Sequence, residues 1–228
     1  MKRTIVAEAN LSIREAAGKM RVPFGLKLAY TGFMAVLVPV YWSNYGPTNF
    51  LYFCDTSLFL TLLAMWTETA LPASMAAVGL LLPQFFWCVD FTAELLGFHL
   101  TGLTSYMFDA HHSLFLRGLS LFHGWLPFLL VYLVLRLGYD RRALKAWTAL
   151  AIVLSLIAFF LLPPAGAQLA DPKKPLNVNL VFGFDDARPQ TWMPAGLYLL
   201  VWIVALITLA YLPTHWVLQK IRPAAPSS

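Results

Sequence analysis

The chain has 228 residues, of which 59% are hydrophobic and 12% charged, and its mean hydropathy is +0.67. This composition excludes an ordinary soluble domain and indicates a polytopic membrane protein. Its formal net charge is +5. We interpret that excess as a signal of membrane topology, with no nucleic-acid partner implied.

Residues 1–27 form a basic arm that we predict to be cytoplasmic. The arm has no apolar core and no small-residue cleavage site, so it is not a cleavable signal. Residues 7–20 have a moderate amphipathic spacing. That spacing suits a helix on the anionic inner leaflet, and a solvated tail fits it equally well.

Six apolar segments follow the arm. A membrane-spanning helix needs about 20 mainly apolar residues, because each residue rises about 1.5 Å along the axis. We therefore predict an all-α fold, a polytopic membrane bundle of six transmembrane helices forming one domain over residues 28–216, with a tail at 217–228. The predicted spans are 28–42, 48–66, 71–90, 118–137, 146–162 and 194–213.

The positively charged residues predict the orientation of this bundle. If the N-terminus is inside, 12 of the 16 Lys and Arg residues lie on the inner side. The positive-inside rule then predicts that both the N-terminus and the C-terminus are cytoplasmic. The four residues left outside are Arg117, Lys173, Lys174 and Arg188.

Two longer connections fall on the predicted outer side. Residues 91–117 are partly apolar and interrupted by Gly and Thr, which favours a re-entrant or interfacial element over an extended loop. Residues 163–193 are rich in Pro, Gly and Asx, which predicts an outer cap of turns. Within this cap we expect a short strand at 177–182.

Ionisable residues inside apolar segments are functional candidates, because each costs about 2.5 to 3.5 kcal/mol on insertion scales. Asp55 lies about seven residues into the second span, and His123 enters the fourth span to a similar depth. Cys54 adjoins Asp55 but lies about 100° round the helix, so we expect the two side chains to point apart. Asp90 and Glu94 lie near the outer end of the third span, about one turn apart. These groups predict a polar pocket in the outer half of the helical bundle. The alternative is that they form hydrogen bonds between helices and only hold the bundle together.

This arrangement suggests covalent catalysis. Cys54 and His123 lie at equal depth, as a nucleophile and its general base require, and Asp90 or Asp55 could orient His123. Cys54 could instead be a small packing residue or form a disulfide with Cys88, the only other cysteine.

We expect no cofactor. A metal site is a weaker alternative, because imidazoles and carboxylates would have to converge with second-shell partners. Its candidate ligands are His99, Asp109, His111 and His112.

Three stretches carry a family resemblance, namely YGPTNFLYFCD, SLFHGWLPFLLVYLVLRLGYDRR and the ending that begins NVNLVFGFDDARPQTW. Together they resemble the bacterial YwaF-like integral membrane proteins and the androgen-induced multi-pass membrane hydrolases. The resemblance implies a bacterial inner membrane protein with a Thr or Cys nucleophile in its second span, here Thr48 or Cys54. The bacterial relatives usually have a histidine just before that cysteine, where this chain has Tyr52 and Phe53, so Thr48 is the rival nucleophile.

The first functional hypothesis is therefore a lipid-ester hydrolase or acyltransferase with an outer-leaflet active site. The alternative is a non-enzymatic membrane subunit or scaffold whose outer cap docks a partner. Membrane lipids are the expected partners in both cases. A protein partner and a homo-oligomer are both left open by the sequence.

Overall fold

A computed structural model describes residues 22–110, 113–171 and 173–221, and the described part of the chain is helical and contains no β-strand. Short 3-10 turns lie at Pro47–Leu51, Ser105–Met107 and Val178–Leu180, and a π-helical segment, Leu206–Tyr211, joins the last two α-helices. The α-helices are α1 (Phe24–Tyr45), α2 (Phe53–Thr67), α3 (Ala70–Leu95), α4 (Leu114–Ser120), α5 (Phe122–Leu137), α6 (Ala143–Leu161), α7 (Ala195–Ala205) and α8 (Leu212–Ile221).

Five of the described helical segments are long and apolar enough to cross a membrane, namely α1, α3, α4 with α5, α6, and α7 with α8. Helix α2 is also apolar but has only 15 residues. The predicted all-α class is thus confirmed, and five such helices, against the six spans predicted, support a multi-pass membrane protein. Most of the predicted basic arm, residues 1–21, lies outside the described residues, and so does the tail from 222 onwards.

Helix α3 is the central element, and α2, α5, α6 and α8 all pack against it. It lies very close to α6 at Gly79. A Cβ atom added to Gly79 would lie 2.0 Å from Cε2 of Trp147, and the Trp147 side chain is fully buried. Glycine therefore allows the large indole to pack directly on the backbone of α3.

One end of the bundle, the Lys27 end, holds several polar contacts between helix termini. Lys27 donates to Glu68 at 2.7 Å, which ties the start of α1 to the end of α2. At the same end the Tyr139 hydroxyl is hydrogen-bonded to Nδ1 of His215. Beside it, the donated hydrogen bond of Arg142 lowers the pKa of Asp140 below its usual value.

The opposite end, the Asp55 end, is covered by the connection between α6 and α7. Asn179 accepts from the backbone N–H of Phe53 at 2.9 Å and donates to the carbonyl of Leu51 at 3.0 Å. The prediction of a strand at 177–182 is wrong, because this segment contains the 3-10 turn Val178–Leu180. Asn177 and Asn179 adopt φ values of 47° and 61°, a left-handed conformation that Asn tolerates and a strand excludes.

Candidate functional site

The candidate site begins at the start of α2. Glycine at position 46 has φ of 81° and Pro47 opens the 3-10 turn, so the α-helix proper begins only at Phe53. Cys54 and Asp55 therefore lie in the first helical turn. An acidic side chain is favourable there, because backbone N–H groups point towards it.

The carboxyl group of Asp55 is 3% exposed and has one hydrogen-bond partner. The thiol of Cys54 donates to Oδ2 of Asp55 at 3.5 Å, whereas Oδ1 is buried without a partner among the described residues. We expected the side chains of Cys54 and Asp55 to point apart, and this is wrong, because their terminal atoms are in hydrogen-bond contact. The angle of 100° separates their Cα–Cβ bonds, and side-chain rotation in the first turn brings the thiol to the carboxylate.

Hydroxyl groups from three other elements surround this pair. The Tyr41 hydroxyl lies 2.8 Å from Oγ of Ser120, and Tyr106 interacts with the same serine and electrostatically with Asp55. Tyr45 packs edge to face on Tyr41 at 5.3 Å and also lies within electrostatic range of Asp55. We call this set the Asp55 cluster, and its members are Tyr41, Tyr45, Cys54, Asp55, Tyr106 and Ser120.

Tyr106 belongs to the connection between α3 and α4. Burial raises the pKa of its phenol group, so Tyr106 stays protonated and keeps a hydrogen to donate. Helix termini and connections thus supply most of the Asp55 cluster. None of the cluster members is cationic.

His123 adjoins the cluster through Ser120. Its Nδ1 lies 2.8 Å from the carbonyl oxygen of Ser120, and its ring stacks on Trp87 at 4.8 Å and on Phe122 at 4.0 Å. The described hydrogen bonds of His123 do not include Cys54. Its position is set by a turn between α4 and α5 and by stacking.

Thr48, the rival nucleophile, lies in the 3-10 turn before α2 and is half-buried. Among the described residues it forms no hydrogen bond with His123. The pairing of a nucleophile with a histidine base, as predicted from the sequence, is therefore not formed by either Thr48 or Cys54 in this conformation.

Asp90 faces the connection after α3. Its Oδ1 accepts from the backbone N–H and the hydroxyl of Thr101 at 2.8 and 2.7 Å. Its Oδ2 accepts from the same two groups of Thr104 at 3.0 and 2.8 Å. Glu94 is paired with His99 at 2.9 Å. Asp90 and Glu94 thus organise residues 96–104, and neither is hydrogen-bonded to His123.

Both cysteines are free, so the disulfide considered above is not formed. Within residues 22–110, 113–171 and 173–221, no group of three His, Cys, Asp or Glu side chains could hold a metal ion. His111 and His112, two of the four candidate ligands, lie outside the described residues. Asp109 lies beside them at the edge of that gap.

Two cavities in the described structure lie away from the Asp55 cluster. One is lined by α6 and the π-helical segment, including Ser155 and Tyr211. The other lies in the connection between α6 and α7, between Gln168 and Lys174. Neither is lined by His123 or by a member of the cluster.

Sequence reasoning missed Tyr41, Tyr106 and Ser120. Tyrosine and serine are uncharged and common in membrane helices, so they do not stand out in a hydropathy profile as Asp55 and His123 do. The short polar break at RGLS, which precedes His123, is the one local signal that could have pointed to Ser120.

No protein-family model matches the chain, and comparisons with curated proteins and with solved structures find no match. The functional argument therefore depends on the chemistry of the site.

Proposed function

We propose that the chain crosses the membrane six times, with α2 as the additional span. Two ring contacts support this. Phe50 packs on Trp42 near one end of α1, and Trp66 packs on Phe24 at the other end, each at 6.2 Å. Trp42 and Phe24 are separated by about 27 Å at the helical rise of about 1.5 Å per residue. Residues 50–66 therefore extend over nearly the full length of α1.

We propose further that the Lys27 end is cytoplasmic, in a bacterial inner membrane, with both termini on that side. Positive charge supports this orientation, because Lys and Arg are enriched on cytoplasmic ends. The described cations at the Lys27 end outnumber those at the Asp55 end. They are Lys27, Arg136, Arg141, Arg142, Lys145 and Lys220, against Arg117, Lys173, Lys174 and Arg188.

Reporter fusions test this topology. Green fluorescent protein joined to the C-terminus is expected to fluoresce, and alkaline phosphatase joined there is expected to be inactive, because the C-terminus lies inside. The same pair of reporters at the N-terminus should give the same result. Active phosphatase at one terminus only would mean an odd number of spans and would contradict the proposal.

We propose that the protein is a non-enzymatic membrane protein that binds the ammonium group of a zwitterionic lipid headgroup at Asp55. The observation that carries this proposal is the buried Oδ1 atom of Asp55, which has no hydrogen-bond partner among the described residues. A buried polar oxygen without a hydrogen-bond partner costs about 1 to 3 kcal/mol, and an ionised carboxylate there also needs a counter-ion. The salt bridges of the described residues supply none to Asp55.

The surroundings of Asp55 suit an ammonium group. Aromatic ring faces attract cations, and the rings of Tyr41 and Tyr45 lie on the same side of the bundle as the carboxyl group. The hydroxyl groups of Tyr106 and Ser120 could accept hydrogen bonds from the same ligand. Binding requires side chains of the cluster to move aside, because Asp55 is buried.

Lipid selectivity tests the role of Asp55. The wild-type protein is placed in nanodiscs that contain equal amounts of phosphatidylethanolamine and phosphatidylglycerol, and its retained lipids are measured by native mass spectrometry. We expect phosphatidylethanolamine to be retained preferentially, and Asp55→Asn to weaken its binding about tenfold or more, as loss of a charge-assisted hydrogen bond predicts.

Asp140→Asn is the matched control, because Asp140 is an acidic residue at the opposite end of the bundle. It should retain the wild-type selectivity. If Asp55→Asn also retains that selectivity, Asp55 does not bind the headgroup and the proposal is wrong.

One contact favours a second candidate, the lipid-ester hydrolase or acyltransferase that the family resemblance implies. The Cys54 thiol already donates to the Asp55 carboxylate, so Asp55 and not His123 would be its base. The sulfur would attack the ester carbonyl carbon, the bond between that carbon and the alcohol oxygen would break, and the thiol proton would pass through Asp55 to the departing alcohol. Water in a hydrolase, or a second alcohol in an acyltransferase, would then cleave the Cys54 thioester and restore the thiol. This candidate would be favoured if the wild-type protein in the same nanodiscs hydrolysed a fatty ester and the Cys54→Ala protein did not.

A further inference from the structure

The connection between α3 and α4 turns its polar groups inward. Both oxygens of Asp90 are occupied by Thr101 and Thr104, and Thr104 is fully buried. Further along, the guanidinium of Arg117 donates to the carbonyl of Met107 at 3.1 Å. These contacts give residues 96–108 a defined conformation built round buried polar groups.

The same connection turns apolar side chains outward. Leu96, Phe98 and Leu100 are 68%, 65% and 59% exposed. A loop in water would show the opposite pattern, because burying one such side chain is worth about 1.5 to 3 kcal/mol. We name this set of three residues the outer apolar patch.

The patch is continuous with the lipid-facing surface of the bundle. Before it, Phe85 and Phe86 are exposed on the membrane-spanning helix α3. After it, Leu114 and Phe115 are exposed at the start of the next membrane-spanning segment. The connection thus begins and ends on surfaces that hydrocarbon covers.

We propose that the outer apolar patch is inserted into the lipid leaflet at the Asp55 end, so that residues 96–100 form an interfacial membrane anchor. Hydrocarbon and headgroups cover its three side chains, while Asp90 satisfies the backbone and hydroxyl groups that could not enter an apolar layer. The exposed His99, paired with Glu94, lies among these side chains and reaches the headgroup region.

Spin-label accessibility tests the insertion. Single cysteines replace Leu96, Phe98 or Leu100 in a Cys54→Ser, Cys88→Ala background, and nitroxide labels are attached in phosphatidylcholine nanodiscs. We expect each label to have a ratio of oxygen accessibility to nickel-chelate accessibility several-fold above that of a label at Gln168, because oxygen concentrates in lipid. A label at Phe86 provides the lipid-facing reference.

Two results would overturn the proposal. A high nickel accessibility at all three positions would place the patch in water. A low accessibility to both reagents would mean that a second copy of the chain or another protein covers it.

A second measurement retains both cysteines and so does not depend on the folding of the double variant. The photo-crosslinking amino acid benzoylphenylalanine replaces Phe98 in the otherwise unaltered chain. Crosslinks to phosphatidylcholine are expected, and crosslinks to protein alone would contradict membrane insertion.

Discussion

Gly79→Ala is expected to destabilise the bundle more than the same substitution at any other helical glycine of the described residues. The new Cβ atom would meet three atoms of the Trp147 indole at 2.0 to 2.5 Å, and Trp147 is fully buried and has no free space to enter. Overpacking usually costs about 1 to 3 kcal/mol, and we expect at least the upper value. Thermal unfolding in detergent, followed by tryptophan fluorescence, measures the loss.

Gly32→Ala is the matched control. Gly32 lies in α1, and a Cβ atom there would have nothing within 4 Å, so we expect no loss and up to about 1 kcal/mol of gain from helix propensity. Combining Gly79→Ala with Trp147→Leu should recover part of the stability that Gly79→Ala loses. A Gly79→Ala protein as stable as wild type would show that α3 and α6 are not in contact at Gly79.

Asp90→Ala is expected to cost about 3 kcal/mol or more. It removes the acceptor of four hydrogen bonds. Two of the four donors belong to Thr104, which is fully buried, whereas Thr101 is exposed. Each buried donor left unpaired costs about 1 to 3 kcal/mol. Hydrogen exchange should show lost protection at the amides of both threonines. Thermal unfolding gives the accompanying change in stability.

Asp171→Ala is the control for this substitution. Asp171 accepts one hydrogen bond, from the amide of Lys173 at 3.1 Å, at an exposed turn, so its loss should change stability by less than about 1 kcal/mol. If Asp90→Ala leaves both threonine amides protected, Asp90 does not organise this connection.

The class of this protein could be predicted from the sequence because hydropathy is a local property. Each apolar segment shows its own membrane affinity without reference to any other part of the chain. The six predicted segments therefore coincide with helices of the structure to within several residues. Helix α2 begins later than predicted, because Gly46 and Pro47 produce a turn that periodicity does not reveal and the α-helix starts only at Phe53.

Individual site candidates were also visible in the sequence, because a charge or an imidazole inside an apolar run is conspicuous. Asp55 and His123 were found in this way. Their partners could not be found, since contacts between distant helices depend on packing. Only the folded chain brings Tyr41, Tyr106 and Ser120 to the pair formed by Cys54 and Asp55.

The sequence by itself thus determined that the chain is a helical membrane protein and which of its ionisable residues are unusual. Tertiary structure decided how those residues are used. Asp90 and Asp55 are the same residue type in similar apolar contexts. Four donor groups bond to the first, whereas one oxygen of the second has no partner in the part of the chain that the structure describes. The difference arises because a neighbouring connection folds back on Asp90, and such long-range packing leaves no local pattern in a sequence.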